Sequence, residues 1–383
     1  LINEIRYTFA MSKKIAFIIG TRPEGIKLAP VINYAKKYFS DDIESIVIAT
    51  GQHQELLTEV FSFFDIKPDF FFSIERKTNM LSELQASLTQ SLENLFVTHK
   101  PDIVMVQGDT LSTLAGAMAA YYQQIPIAYI ESGLRSGQLY APFPEEANRL
   151  MVTKLAKWQF TPTQKATYAL KQEGITEHVY EVGNTVVDAI QFAQAIGFSN
   201  DYSYHHWIDK KNKNRKMVLI TIHRRENWET ELENIILAVK TLSNTYKDHI
   251  DFVWISHANP NLAKKIRDRL TNISNIFIYP PANYPQLLHL MQHSFIILTD
   301  SGGIQEEAPS MNKPVLVARD VSERMEGVES GCAKLVGTKS NSIIDSVTEL
   351  IEDKNVYLNM TGVKNPYGDG LSSKRILETL LAF

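Results

Sequence analysis

Cysteine is almost absent from this chain of 383 residues, in which Cys332 stands alone. A single cysteine excludes an intrachain disulfide and a cluster of cysteine ligands for a metal, and we interpret it as a small buried thiol. No run of apolar residues reaches the length of a membrane-spanning helix. Excess positive charge is also lacking, because 43 acidic residues outnumber 39 basic ones and give a net charge of −4. We therefore expect neither a membrane nor a nucleic acid as partner.

Signatures of common cofactors are missing as well. No G-x-G-x-x-G stretch follows a predicted strand, no G-x-x-x-x-G-K-[ST] loop occurs, and metal-binding spacings such as H-E-x-x-H are absent. We therefore expect no cofactor and no metal. No apolar leader with a cleavage site precedes Met11-Ser12-Lys13-Lys14, which is typical of a natural start. We expect 1–10 to be an extension outside the fold, and the protein to be cytoplasmic.

Short apolar runs alternate with longer helical patterns over most of the chain. Such alternation indicates α/β domains with parallel sheets covered by helices on both faces. The pattern restarts near 183–185, which predicts two doubly wound domains at 11–183 and 184–369, with a final helix in 370–383 that packs back on the first. The predicted strands lie at 15–19, 45–49, 103–106, 127–130, 158–160, 179–182, 217–222, 252–256, 276–279, 295–299 and 314–318.

Polar residues that directly follow a strand are the first candidates for a site, because ligands of open parallel sheets bind beyond the carboxyl ends of the strands. The stretch GTRPEGIK at 20–27 follows the first predicted strand. Gly20 allows a tight turn and Pro23 suits the first turn of a helix, while Arg22 and Lys27 add positive charge at its start. This combination favours a phosphate site over the alternative of a solvated Arg–Glu pair on a surface turn.

Acidic residues follow two more predicted strands of the first domain. Asp109 lies beyond 103–106, Glu131 follows 127–130, and Glu145 and Glu146 come shortly afterwards. A lone acid in such a place is usually a helix cap, and Asp109 also suits that role. Several carboxyl groups at one rim instead indicate acid–base chemistry, with pKa values moved apart by their proximity.

The second domain repeats the pattern with cationic and small residues. His223-Arg224-Arg225 follows one predicted strand and His257 follows the next, which favours an anion, although at least one arginine is expected to pair with an acid. Ser301-Gly302-Gly303 follows another strand and opens a helix, an arrangement typical of a phosphate cradle. Glu306 or Glu307 can accept from a ribose diol, although both also suit the helix dipole without a ligand.

Many ordered stretches together resemble the bacterial non-hydrolysing UDP-N-acetylglucosamine 2-epimerase family, from about residue 14 to the last helix. That resemblance implies a GT-B architecture, in which two Rossmann-like domains face each other across a cleft that holds the active site. The matching stretches are GTRPEGIK, TGQHQE, VQGDT, ESGLRSG, PFPEEANR, VGNTVVDA, HRREN, HANPN, LTDSGGIQEEAPS, KPVLV and NPYGDG.

The resemblance also implies an activity and a set of roles. The family interconverts UDP-N-acetylglucosamine and UDP-N-acetylmannosamine without a metal or nicotinamide, by eliminating UDP to 2-acetamidoglucal and adding it back. A homodimer, activation by a second UDP-sugar, and a product that feeds surface polysaccharide are implied too. By motif, the catalytic residues are Asp109, Glu131, Glu145, His223 and Lys27; the substrate-binding residues are Arg22, Arg135, Asn184, His257, Ser301, Gly302, Gly303, Glu307 and Arg324; and the allosteric residues are Gln52, Glu55 and Arg76.

Two departures and several alternatives accompany this prediction. Leu287 stands where the family usually has an aromatic residue for the uracil, and Met325 replaces a proline near the nucleotide. Neither change touches the acids, so we expect activity. The alternatives are a GT-B glycosyltransferase that uses a UDP-sugar, an inactive UDP-sugar-binding protein, a hydrolysing relative, and an epimerase of another UDP-2-acetamido sugar.

Overall fold

The protein is described by a computed structural model. It describes residues 12–51, 54–74, 76–197, 215–223, 230–257, 259–322 and 324–383, with only the backbone of 54–56. The described chain divides into two compact units. The first unit contains the residues up to Ala189 together with Gly368–Phe383, and the second contains Ile190–Tyr367. The boundary between the two units at Ala189 falls inside a helix, whereas the sequence predicted a boundary just before that helix.

A seven-stranded parallel sheet forms the centre of the first unit, with the strand order β3-β2-β1-β4-β5-β6-β7. Parallel neighbours need long crossovers, and helices supply them. The strands are β1 (Lys13–Ile19), β2 (Ile43–Ala49), β3 (Phe70–Phe71), β4 (Ile103–Gln107), β5 (Ile127–Ile130), β6 (Trp158–Thr161) and β7 (Val179–Glu181). The helices are α1 (Arg22–Tyr38), α2 (Gln54–Phe63), α3 (Leu81–His99), α4 (Leu111–Tyr122), α5 (Glu145–Leu155), α6 (Gln164–Gln172) and α7 (Thr185–Ile196).

The register of this sheet aligns the strand ends that carry the predicted site. Gln107 at the end of β4 pairs with Ile130 at the end of β5. The residues that follow these two strands therefore leave the sheet side by side at its carboxyl rim. Both strands are fully buried, which matches their near-continuous apolar sequences and gives the rim a rigid base.

The last helix of the chain, α15 (Ser372–Leu381), belongs to the first unit and packs against α1. Its N-terminus is capped by Asp188 of α7, whose buried carboxylate accepts from the backbone N–H groups of Ser372, at 3.3 Å, and Ser373, at 2.7 Å. Burial raises the pKa of Asp188, while these N–H donors work against the rise. A cap of this kind satisfies helix donors that would otherwise lack partners.

A six-stranded parallel sheet forms the centre of the second unit, with the order β10-β9-β8-β11-β12-β13. This is the strand order of a Rossmann-like sheet. The strands are β8 (Lys216–Thr221), β9 (Ile250–Ile255), β10 (Ile276–Tyr279), β11 (Ile296–Thr299), β12 (Val315–Val317) and β13 (Ala333–Leu335). The helices are α8 (Thr230–Thr245), α9 (Pro260–Leu270), α10 (Tyr284–His293), α11 (Gly302–Glu307), α12 (Met325–Ser330), α13 (Ser340–Glu352) and α14 (Lys354–Thr361), with a 3-10 turn at Ala308–Met311.

The expected α/β class is confirmed, because both sheets are parallel and both have Rossmann-like order. Every strand predicted from the sequence is present to within two residues at each end. The sequence missed β3 and β13, which are two and three residues long. Among the described helices, none has the combination of length and apolar character needed to cross a membrane.

Candidate functional site

The turn between β1 and α1 is built around a close approach of the backbone at Gly20. A Cβ atom at this position would lie 1.9 Å from the Ser112 Oγ atom and 2.8 Å from the Thr50 Oγ1 atom, so any larger residue would force its neighbours to move. Beside this turn, the buried carboxylate of Glu24 accepts hydrogen bonds from the backbone N–H groups of Gly20 and Thr21, at 2.7 and 2.6 Å. The turn that presents Arg22 is therefore fixed from two sides.

The same Glu24 carboxylate also joins this turn to the loop that follows β4. Its Oε1 atom accepts from the Thr110 hydroxyl at 2.5 Å and from the Thr113 hydroxyl at 2.8 Å. Burial raises the pKa of Glu24, and the hydrogen bonds from both hydroxyls and both backbone N–H groups oppose that rise. Glu24 thus connects the segment that carries Arg22 to the segment that carries Asp109.

A buried ion pair lies at the ends of β4 and β5. The Lys27 Nζ atom is 2.6 Å from the Glu131 Oε1 atom, and the two side chains are only 11% and 7% exposed. The Gln107 amide donates to the other carboxylate oxygen of Glu131. Glu131 has a φ of 66°, in the left-handed region that is strained for a residue with a side chain. Strain of this kind is typical of functional positions, and here it follows the end of a central strand.

Asp109 lies beyond β4 and is held by α5. The Arg149 Nε and Nη2 atoms both donate to the Asp109 Oδ2 atom, at 2.9 and 2.5 Å. The Asn148 side-chain amide donates to the Asp109 carbonyl oxygen at 2.8 Å. The third donor of Arg149, Nη1, contacts the Glu146 Oε2 atom at 3.0 Å. Burial lowers the pKa of Arg149, but the Asp109 and Glu146 carboxylates outweigh this and raise it, so the guanidinium stays charged.

The first residue of α5 is Glu145, which follows two proline residues with cis peptide bonds, Pro142 and Pro144. Its side chain is half-buried, and its Oε2 atom is buried without a hydrogen bond to any described residue. Glu145 thus differs from Asp109 and Glu131, whose carboxylates are paired with cations.

The two arginines predicted to bind substrate in this unit have different surroundings. Arg22 is half-buried at the first position of α1 and forms no ion pair within the described part of the chain. Arg135 forms a bidentate pair with Glu173, with N–O distances of 2.6 and 3.0 Å, and also donates to the Thr153 hydroxyl. Arg135 therefore uses its donors for contacts within the protein, and these contacts give it a structural role in addition to any contact with a ligand.

In the second unit, His223 follows β8 and rests on Asp300, which follows the neighbouring strand β11. The His223 Nδ1 atom is 2.7 Å from the Asp300 Oδ1 atom, and the His223 backbone N–H donates to both carboxylate oxygens at 3.0 and 3.1 Å. Asp300 is completely buried, whereas nearly half of the His223 side chain is exposed. The buried acid orients the exposed ring, and this role of Asp300 was not predicted from the sequence.

The predicted phosphate turn opens the short helix α11. Ser301 is its N-cap, with the Oγ atom 3.5 Å from the Ile304 backbone nitrogen. Gly302 and Gly303 follow without side chains, and the Arg324 guanidinium lies 3.6 Å from the position that a Gly302 Cβ atom would occupy.

The two glutamates of α11 are both buried. The Arg324 Nε atom donates to the Glu306 Oε1 atom at 2.9 Å, so Glu306 serves as a partner of Arg324. The family resemblance assigns a substrate contact to Glu307 and none to Glu306, and that assignment stays a prediction.

Three further predicted residues are present in the described chain. The His257 Nδ1 atom accepts from the Asn259 backbone N–H at 2.9 Å, beyond the end of β9. Asn184 is buried and its Oδ1 atom accepts from the Val186 backbone N–H at the start of α7. Arg76 is exposed and donates to the Met80 carbonyl oxygen. These contacts are local, and they do not by themselves indicate a ligand.

Some predicted positions lie outside the described residues. Gln52 and the side chain of Glu55 belong to this group, as do Arg224 and Arg225. Their predicted roles therefore remain predictions.

The comparisons with known proteins agree on one family. A family model described as UDP-N-acetylglucosamine 2-epimerase matches residues 37–381. A UDP-N-acetylglucosamine 2-epimerase from Neisseria meningitidis serogroup A is 43% identical in an alignment that covers 96% of this chain and 99% of the relative.

Solved structures give the same result. The crystal structure of the Neisseria meningitidis UDP-GlcNAc 2-epimerase bound to UDP-GlcNAc has a TM-score of 0.86 at 42% identity, covering 97% of this chain and 100% of that one. The UDP-GlcNAc 2-epimerase of Methanocaldococcus jannaschii, in complex with UDP-GlcNAc and UDP, has a TM-score of 0.78 at 32% identity, covering 97% and 100%. The chain belongs to the UDP-N-acetylglucosamine 2-epimerase family.

Proposed function

We propose that this chain catalyses the reversible epimerisation of UDP-N-acetylglucosamine to UDP-N-acetylmannosamine at carbon 2. The observation that carries the proposal is the set of three carboxyl groups at the carboxyl rim of the first sheet, Asp109, Glu131 and Glu145, in a chain of this family. Breaking a C–H bond next to the anomeric carbon needs a positioned base, and restoring it on the other face needs a positioned acid.

The reaction proceeds by elimination and addition. One carboxylate accepts the proton of carbon 2, the C–H electron pair becomes the double bond between carbons 1 and 2, and UDP leaves with the electrons of the carbon 1–oxygen bond. The UDP oxygen then adds back to carbon 1 of 2-acetamidoglucal while a carboxyl group returns a proton to the opposite face of carbon 2. Glu145 suits such an exchange, because its Oε2 atom has no hydrogen-bond partner among the described residues.

We assign the diphosphate and nucleoside to side chains of the second unit, and we keep Arg22 and Lys27 as proposed ligand contacts of the first unit. The leaving UDP gathers negative charge, which fixed donors stabilise most when they are already oriented. His223 meets this condition because Asp300 holds its ring, and Arg324 meets it because Glu306 holds its guanidinium. The glycines at 302 and 303 leave the backbone open to close approach, and Glu307 is the candidate partner for the ribose. Asn184 and His257 complete the proposed substrate contacts.

Further features of the proposal follow from the family alone. They are activation by a second UDP-sugar that contacts Gln52, Glu55 and Arg76, assembly as a homodimer, action in the cytoplasm, and a product that enters surface polysaccharide synthesis. The bidentate pair of Arg135 with Glu173 restricts the proposed substrate contact of Arg135 to donors that this pair does not use.

The activity is tested by incubating the purified protein with UDP-N-acetylglucosamine and separating the products by anion exchange with mass detection. We expect UDP-N-acetylmannosamine at a constant total of UDP-sugar. Free N-acetylmannosamine together with UDP would contradict the proposal in favour of hydrolysis. An unchanged substrate that nevertheless binds would contradict it in favour of another sugar, a transferase or a binding protein.

A further inference from the structure

The guanidinium of Arg149 contacts only one of the two carboxylate oxygens of Asp109. Both Nε, at 2.9 Å, and Nη2, at 2.5 Å, donate to Oδ2. The Arg149 side chain is 9% exposed, so little water competes for these bonds. Two donors on Oδ2 define the direction in which this oxygen points from the Asp109 side chain. Because a carboxylate is planar and rigid, they also define the direction of Oδ1.

The other oxygen of Asp109, Oδ1, forms no hydrogen bond to any residue in the described ranges, although the Asp109 side chain is 26% exposed. The Asp109 backbone is held separately, through the amide of Asn148. The carboxylate is thus anchored by its main chain and by one oxygen, while the second oxygen remains available for a contact outside the protein.

Arg149 is itself held in place from the opposite side. Its Nη1 atom donates to Glu146 at 3.0 Å, and Glu146 in turn accepts from the backbone N–H groups of Ser136, at 3.0 Å, and Gly137, at 3.3 Å. The buried Glu146 therefore ties the guanidinium to the loop that follows β5. All three types of donor nitrogen on Arg149 are used, so the group has little freedom to turn.

We propose that Arg149 is a positioning residue for the epimerisation, which fixes Oδ2 of Asp109 so that Oδ1 is the oxygen presented to the sugar. The inference rests on the proposed function and adds a role that the sequence did not suggest. Lysine keeps the charge but offers a single nitrogen without the planar fork, so it cannot fix both the position and the rotation of the carboxylate. Small errors in the position of a reacting group cost large factors in rate.

The test compares Arg149→Lys with the native protein in the epimerisation assay, with rates divided by the number of UDP-binding sites from calorimetry. We expect kcat per site to fall about 10- to 100-fold, with KM changed by less than about threefold because the diphosphate contacts lie elsewhere. The matched control is Arg215→Lys. Arg215 also places Nε and Nη2 on one oxygen of a buried aspartate, Asp251, at 2.7 and 2.6 Å, but at the amino end of β8.

A second variant separates positioning from general damage. Arg149→Ala leaves space for a guanidinium ion, and we expect guanidinium chloride below denaturing concentrations to raise kcat per site, whereas methylammonium chloride does not. Where this variant fails to fold, Glu146→Gln takes its place, because it loosens the guanidinium without removing it, and kcat per site should fall while KM stays constant.

Three results would overturn the inference in an active native protein. They are a kcat per site in Arg149→Lys within about twofold of native, an equal loss in Arg215→Lys, and equal rescue by both cations. An inactive native protein would instead overturn the proposed function, which separates the two failures.

Discussion

Replacing Lys27 by methionine removes the cation from a buried ion pair and keeps the length of the side chain. The Lys27 Nζ and Glu131 Oε1 atoms are 2.6 Å apart, in side chains that are 11% and 7% exposed. Removing one partner of such a pair leaves a buried charge without compensation, which typically costs about 3–5 kcal/mol. Gln107 still donates to Glu131 in the variant, so we expect a loss near the lower end, at about 3 kcal/mol.

The assay is urea unfolding of the native protein, Lys27→Met, Glu131→Gln and the double variant. If the two side chains stabilise each other, the double variant should lose less than the sum of the single losses, by at least about 1.5 kcal/mol. Lys334→Met is the matched control, because Lys334 and Glu349 are 2.8 Å apart but nearly half exposed, and its loss should stay below about 1 kcal/mol. Additive single losses, or a Lys27→Met loss no larger than that of the control, would show that the buried pair does not stabilise the fold.

Three other perturbations test separate parts of the structure. In Gly20→Ala, the new Cβ atom would lie 1.9 Å from the Ser112 Oγ atom and 2.4 Å from the Ser112 Cβ atom. Urea unfolding should show that the free energy of unfolding falls by about 1–3 kcal/mol. Adding Ser112→Gly should recover at least half of this loss. Asp300→Asn should lower kcat at least about tenfold, because a single amide oxygen cannot replace both carboxylate oxygens that hold His223. An unchanged kcat in steady-state kinetics would contradict this prediction. Burial raises the pKa of Asp188, so the unfolded chain releases the Asp188 proton at lower pH than the folded chain. The stability of the native protein relative to Asp188→Asn should therefore decrease as the pH rises from about 4. A stability difference that is constant with pH, measured by urea unfolding, would count against this prediction.

Much of the fold could be predicted from the sequence because long parallel strands are buried on both faces. The apolar runs of β4 and β5 have no polar interruption, and the residues directly after them lie at the carboxyl rim. Asp109 and Glu131 were found in this way. Strand β3 could not be found because two residues show no periodicity, and β13 could not be found because a lysine interrupts its apolar residues.

Several residues of the candidate site could not be predicted because their partners are far away in the sequence. Arg149 is 40 residues from Asp109, and Asp300 is 77 residues from His223. Only the folded sheet brings such pairs together. One signal was available, since Glu146 and Arg149 are three residues apart and therefore lie on the same face of a helix. The sequence also predicted a ligand contact for Arg135 and could not show that Glu173 occupies two of its donors.

The proposed epimerisation requires that the proton of carbon 2 is removed and replaced, which proton NMR in deuterium oxide detects. The purified protein is incubated with UDP-N-acetylglucosamine in the presence of EDTA and without nicotinamide. We expect UDP-N-acetylmannosamine that carries deuterium at carbon 2, with loss of the carbon 2 proton signal of the substrate as equilibrium is approached. Formation of UDP-N-acetylmannosamine with full retention of the original proton would contradict an exchange with the carboxyl groups of the first unit.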